Sequence, residues 1–211
     1  MKKLVAVILL LSMLFSFTAC AGLGALKDLA ADFEKWEKTS SNLKSFKLVL
    51  DITNTNGDTE TMTEMRCDKG YALIREDSIY FVDYEAKKSY TLTPSDGTGY
   101  SSEYSGGGDS ENFGALTYGF LFFSNMYRFA GAKKGGSEKI NGRKSIAYSL
   151  KADGEEVKFW LDDEFGITVK YSKKTSEGTE KMEVTEFKTK GITMSDITDM
   201  VNLSKYEISE Y

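Results

Sequence analysis

Apolar and polar residues alternate along much of the chain, which is the pattern of half-buried β-strands. The clearest part spans residues 144–188, where turn sequences that contain glycine separate four runs. Three of these runs alternate regularly, with apolar positions at Ile146, Tyr148, Leu150, Val157, Phe159, Leu161, Ile167, Val169 and Tyr171. In the fourth run Met182 and Val184 share a parity that Phe187 lacks, which predicts a bulge near Thr185 and Glu186. The pattern predicts a four-strand antiparallel meander.

A second meander is predicted nearer the N-terminus. Its first strand alternates at Phe46, Leu48, Leu50 and Ile52, and Asn56-Gly57-Asp58 is a hairpin turn. The returning strand, residues 59–67, is strongly polar, with Glu60, Thr61, Thr63 and Glu64, and we expect its outer face to be solvated. Shorter strands are expected over residues 71–75, 79–84 and 89–93.

The two meanders are separated by a polar segment and an apolar segment. Residues 94–112 are rich in Gly and Ser and predict a flexible loop. Residues 113–129 have an apolar centre at Phe120, Leu121, Phe122 and Phe123. A helix of this length is shorter than the roughly 30 Å hydrocarbon core of a bilayer, so we expect it to be buried against the sheet. Three roles stay open for it: plain core, a lid over an apolar cavity, or a membrane or partner contact. Residues 130–136 are predicted as loop, and residues 137–143 as a hairpin.

Two amphipathic helices flank the predicted sheet. Over residues 25–39, apolar residues recur at three- and four-residue steps and include Phe33 and Trp36. This stripe is expected to pack on the sheet, with contact to a membrane surface as the alternative. A short helix is predicted over residues 195–201, with Ser195 as its N-cap.

The N-terminus has the features of a bacterial lipoprotein signal. Lys2-Lys3 precedes an apolar stretch that ends at Phe17-Thr18-Ala19-Cys20, which is close to a lipobox. We therefore expect residues 1–19 to be a signal peptide, Cys20 to carry the lipid, and residues 20–24 to be a tether. One domain is expected over residues 25–211. The predicted location is extracytoplasmic, on the bacterial cell membrane.

Composition excludes several classes of chemistry. The chain has no histidine, which excludes Ser-His-Asp and Cys-His catalysis and zinc sites that contain histidine.

Cys67 is the only cysteine besides Cys20 and is expected to be a buried small hydrophobic residue. Acidic clusters such as Asp162-Asp163-Glu164 lie at predicted turns, where solvated charge explains them. A formal net charge of −5 without a basic run argues against nucleic acid. We expect no enzyme activity, no cofactor and no metal site.

The sequence resembles the LolA-like superfamily of exported lipoprotein-sorting and lipid-carrier proteins. The resemblance rests on the hairpin at residues 138–144, on residues 157–162 followed by 166–171, and on residues 184–187; it covers most of residues 40–190. Two features depart from the family: Asn202-Leu203-Ser204 stands where many relatives have Leu-Pro, and the Gly-rich loop is unusual. The resemblance implies an α+β, mainly β fold. It consists of one strongly curved antiparallel sheet, an unclosed barrel, with helices in its concave face.

The family resemblance implies that the concave face binds a lipid or another apolar ligand. Because of the lipobox, the chain is similar to the membrane-anchored members. The expected ligand-binding residues are the apolar positions Phe46, Leu48, Leu50, Phe120, Leu121, Phe122, Phe123, Tyr148, Phe159 and Val169. The alternative is a sensor or interaction module with a filled core, which would contact an envelope protein through Tyr100 and Tyr104.

Overall fold

The computed structural model describes residues 42–106, 132–152 and 155–210, together with residues 32, 34–36, 38 and 39. Within these ranges the protein is mostly β and forms one large, curled, unclosed sheet of twelve strands. The strands of the first part are β1 (Phe46–Thr53), β2 (Thr59–Arg66), β3 (Gly70–Ile74), β4 (Ile79–Asp83), β5 (Lys88–Thr93) and β6 (Thr98–Glu103). Those of the second part are β7 (Lys133–Ile140), β8 (Arg143–Ala152), β9 (Glu155–Asp162), β10 (Thr168–Lys174), β11 (Thr179–Lys188) and β12 (Glu207–Glu210).

The strand order is β12-β6-β5-β4-β3-β2-β1-β11-β10-β9-β8-β7. Two antiparallel meanders, β1 to β6 and β7 to β11, therefore join where β1 pairs with β11. The predicted meander of residues 144–188 is confirmed as β8 to β11. The predicted bulge is also confirmed, because Val49 pairs with Glu186 and Leu50 pairs with Val184, so that Thr185 is left without a partner in the register.

Two loop predictions are wrong in part. Within the predicted flexible loop 94–112, residues 98–103 form β6, which pairs antiparallel with β5 and parallel with β12. The flanking strands β5 and β12 supply hydrogen-bond partners for the backbone N–H and C=O groups of this polar segment, which it could not satisfy alone. Within the predicted loop 130–136, residues 133–136 belong to β7, which accommodates Gly135 and Gly136 at a register shift. The predicted helix 113–129 lies outside the described residues, as do the signal peptide and Cys20.

The C-terminal helix spans Met194–Val201 and packs on the β2 to β5 part of the sheet. Its N-cap is Thr193, not the predicted Ser195, because Thr193 and Asp196 form a reciprocal capping box. Ile197 and Val201 are buried against Met65, Cys67, Ala72, Ile79, Phe81 and Leu92. The helix approaches the sheet closely at Gly70, where a Cβ atom would lie 2.7 Å from the Met194 sulfur.

The N-terminal helix is confirmed at the described positions between residues 32 and 39, all of which are helical. Trp36 is only 2% exposed and packs in a cluster with residues of β8 and β9. Both helices therefore contact the sheet. Their predicted place in a concave face stays a prediction.

Candidate functional site

A continuous apolar face crosses five neighbouring strands, β1, β11, β10, β9 and β8, and its edge extends onto β2, where Met62 lies opposite Leu50. Along one cross-strand row, Ile52 lies opposite Met182, Met182 opposite Tyr171, Tyr171 opposite Phe159, and Phe159 opposite Tyr148. Directly paired residues project to the same side of a sheet, so this row forms one surface. The rings of Tyr148 and Phe159 are stacked, with centroids 5.4 Å apart. We call this surface the apolar face; its buried members are Phe46, Leu48, Leu50, Met62, Ile146, Tyr148, Leu150, Phe159, Leu161, Val169, Met182 and Val184.

The structure places six of the predicted ligand-binding residues on this face. These six are Phe46, Leu48, Leu50, Tyr148, Phe159 and Val169, and none is more than 3% exposed. They fall in two buried clusters, and Tyr171 packs against both of them. The other four predicted residues, at positions 120–123, lie outside the described residues. The face is thus continuous from β1 to β8.

Trp36 covers one end of the apolar face and is held by the turn between β9 and β10. Its indole Nε1 donates a hydrogen bond to the Asp163 carbonyl oxygen at 3.1 Å. Lys35 reaches the same residue, with its Nζ 3.2 Å from Asp163 Oδ1. The indole lies on Gly166, where a Cβ atom would come within 2.6 Å of the ring, and Gly166 has a φ of 67°. The turn therefore needs a residue without a side chain beneath the tryptophan.

A charged cleft of about 370 Å³ lies beside this turn. Its centre is Asp162, whose side chain is 1% exposed and accepts hydrogen bonds from Arg143 Nε at 2.6 Å and Nη2 at 3.2 Å. Asp162 Oδ1 also accepts the backbone N–H groups of Glu164 and Phe165. Partial burial acts to raise the pKa of Asp163, but hydrogen bonds from Lys144 and Lys35 outweigh it and lower that pKa. The charged side chains of the cleft pair with one another and thereby stabilise the turn.

Glu64 is an ionisable residue that lies buried at the β2 edge of the apolar face. It belongs to a strand that was predicted to be polar with a solvated outer face, yet it is 1% exposed and lies opposite Leu48 on β1 and Leu73 on β3. The Tyr71 hydroxyl donates a hydrogen bond to Glu64 Oε1 at 3.2 Å. Burial raises the pKa of Glu64 to about 8, against smaller lowering effects from the Tyr71 hydrogen bond and the Arg66 charge. The carboxyl group is therefore mostly protonated at neutral pH.

Among the polar residues of β2, Thr61 is exposed, whereas Thr63 and Glu64 are buried. The length of the preceding loop is the signal that would have placed Glu64. Thr53 pairs with Thr59, and the Asn54 N–H donates to the Asp58 carbonyl. Three residues, with Gly57 at a φ of 92°, therefore make the turn.

Membrane-spanning helices and metal-ligand clusters are both absent from the described residues. No helix in the described part of the chain has the length and hydropathy needed to cross a bilayer. Over the same ranges, no three His, Cys, Asp or Glu side chains are grouped so that they could hold a metal ion. Cys67 is a free thiol and is buried, as expected.

Comparison with known proteins yields structural likenesses but no relative by sequence. No family model matches the chain, and no curated protein matches it. A Pseudomonas aeruginosa MucA/MucB complex is similar at 11% identity and a TM-score of 0.47, over 79% of this chain and 60% of that chain. An uncharacterized conserved protein from Thermus thermophilus has 8% identity and a TM-score of 0.47, over 87% of this chain and 99% of that chain.

A third likeness is to LprF from Mycobacterium bovis, at 9% identity and a TM-score of 0.35, over 78% of this chain and 96% of that chain. The chain spans about a third of PNGF-II, of which it covers 32% at a TM-score of 0.38. All these TM-scores are below 0.5. Membership of the LolA-like superfamily therefore stays a prediction from the sequence motifs.

Proposed function

We propose that this protein is an extracytoplasmic lipoprotein, anchored through Cys20, whose apolar face binds a lipid or another apolar ligand without covalent chemistry. The observation that supports the proposal is the continuity of the apolar face across five strands, with a stacked aromatic pair at its β8–β9 end. Removal of acyl surface from water contributes about 25 cal/mol for each Å². The sequence motifs of residues 138–144 and 157–171 add the resemblance to lipid carriers of the LolA-like superfamily.

The proposed ligand site is long enough for an extended chain. The row from β1 to β8 crosses five strands, whose spacing is roughly 4.8 Å, so it extends for about 19 Å. This is the length of a long acyl chain. In the proposed mechanism the chain lies across the strands and contacts Met182, Tyr171 and Phe159 in turn.

Native mass spectrometry and solvent extraction of the purified protein test the proposal. We expect a lipid that leaves the protein on denaturation and binds again to lipid-free protein. Leu48→Trp places extra bulk on the apolar face and should reduce the bound lipid. Val49→Trp is the matched control, since Val49 lies next in the same strand and projects to the other side of the sheet. Far-UV circular dichroism verifies that both variants are folded.

A second candidate function is a protein-interaction module with a filled core. Two partly exposed tyrosines on β4 and β6, the strands on either side of β5, favour it, since Tyr80 is 39% exposed and Tyr100 is 48% exposed. Both lie opposite Thr91 of β5 and so share one side of the sheet. Tyrosine is enriched in protein-binding surfaces. If neither the native protein nor the lipid-stripped protein binds any lipid, this second function replaces the first.

A further inference from the structure

A buried carboxyl group is an unusual component of an apolar face. Glu64 is flanked by Met62 on its own strand, by Leu48 on β1 and by Leu73 on β3. The cationic group that acts on it is Arg66, two residues along the same strand, whose effect on the pKa of Glu64 is smaller than that of burial. An apolar residue at this position would avoid the cost of burying a polar group. The carboxyl group therefore calls for a role beyond packing.

The carboxyl group has unused hydrogen-bonding capacity. Its Oε1 accepts one hydrogen bond, from the Tyr71 hydroxyl. Among the residues that the structure describes, Oε2 has no hydrogen-bond partner. A protonated carboxyl group has one O–H donor and further acceptor capacity. One further polar group that both accepts and donates a hydrogen bond would satisfy the remaining hydrogen-bonding capacity of the Glu64 carboxyl group.

We propose that Glu64 is the polar anchor of the apolar face and selects amphiphiles whose head group is an uncharged hydroxyl. This inference rests on the proposed function, because it names the ligand class for the same face. A hydroxyl group accepts the O–H of Glu64 and donates to a carboxyl oxygen in return. An anionic head group would lose its hydration beside the neutral carboxyl group and would have only the charge of Arg66, two residues along the strand, to compensate for it. A cationic head group would require Glu64 to ionise in an apolar environment, which costs several kcal/mol for each buried ion before pairing.

Three probes with the same hydrocarbon chain test the proposal: oleyl alcohol, oleate and oleylamine. Each displaces a fluorescent apolar dye from the lipid-stripped protein at pH 6.5. We expect oleyl alcohol to bind most tightly to the wild-type protein. Glu64→Leu should weaken the binding of oleyl alcohol about tenfold, the value of one hydrogen bond. Glu64→Gln, which still donates and accepts, should retain it within about threefold. Glu60→Gln is the control, since Glu60 lies on the same strand, pairs with Arg75 and is partly exposed.

The outcomes separate the two proposals. Equal binding of all three probes, unchanged by Glu64→Leu, overturns the anchor and leaves lipid binding in place. Tightest binding of oleylamine, lost in Glu64→Gln, also overturns it, because Glu64 would then act as an anionic counter-ion. Binding of no probe overturns the proposed function and the anchor together.

Discussion

Replacement of Glu64 by glutamine should remove much of the pH dependence of stability between pH 5 and pH 8. The pKa of Glu64 is about 8 in the folded protein, against an ordinary value of 4.5, because burial disfavours the charged form. The folded state therefore binds more protons than the unfolded state across this range. The corresponding stability is fully present below pH 4.5 and is lost as the pH rises towards 8.

The magnitude follows from the width of that range. At about 1.4 kcal/mol for each pH unit, the wild-type protein should lose roughly 3 to 4 kcal/mol of unfolding free energy between pH 5 and pH 8 from this residue. That is a large share of the roughly 5–15 kcal/mol of a typical domain. Glutamine is neutral at every pH and can still accept the Tyr71 hydrogen bond, so the variant should lose none of this stability. The titratable neighbours are Tyr71 on β3 and Arg66 on the same strand, while β1 presents Phe46, Leu48 and Leu50 on this side.

Urea denaturation followed by tryptophan fluorescence at pH 5, 6, 7 and 8 measures the effect. The quantity of interest is the difference in unfolding free energy between Glu64→Gln and the wild-type protein, which should grow steadily with pH. Glu60→Gln is the control, because a hydrogen bond from Arg75 lowers the pKa of Glu60 and places its titration below this range. Parallel stability curves for Glu64→Gln and the wild-type protein from pH 5 to pH 8 would refute the reasoning.

Three further substitutions test the turn between β9 and β10. Gly166→Ala should destabilise the protein by about 2 kcal/mol or more, because its φ of 67° and the indole of Trp36 leave no room for a Cβ atom. Gly142→Ala should cost only about 1 kcal/mol, since its φ is 76° but no atom lies within 4 Å; equal losses in chemical denaturation would contradict the contact with Trp36. Trp36→Ala should cost about 3–5 kcal/mol through lost burial, and a cost below 1 kcal/mol would show that the helix is not docked. Asp162→Ala should cost about 1.5–3 kcal/mol because it removes the buried acceptor of Arg143, which keeps its ion pair with Glu164; Asp162→Ala with Arg143→Met should recover part of that loss, and an additive double variant would contradict the pairing.

The strands of both meanders could be predicted because their signals are local. Alternation at Ile146 to Leu150 or Phe46 to Ile52 reports which residues are buried on one side of a strand, and Asn141-Gly142 supplies the positive φ angles of a tight turn. Six of the ten predicted ligand-binding residues lie on one face of the sheet, and their role in binding stays a prediction. The composition alone also excluded any catalytic or metal-binding role for histidine, because the chain contains none.

Nonlocal pairing was beyond prediction from the sequence. β6 and β12 are short and polar; β6 is ordered by backbone pairing with both β5 and β12, and β12 by pairing with β6. Trp36 could be recognised as an apolar residue of an amphipathic helix. The contact of its indole with Gly166, which lies far along the chain, exists only in the folded protein.

Glu64 shows most clearly what tertiary structure decided. A two-residue turn at Asn56-Gly57 would pair Leu48 with Met65 and turn Glu64 towards the opposite side of the sheet. The three-residue loop in the structure pairs Leu48 with Glu64 instead. Because side chains alternate with a period of two, a shift of one residue changes the face of every side chain in the strand. The sequence by itself determined that β2 exists, and only the folded sheet decided that a carboxyl group lies on its apolar face.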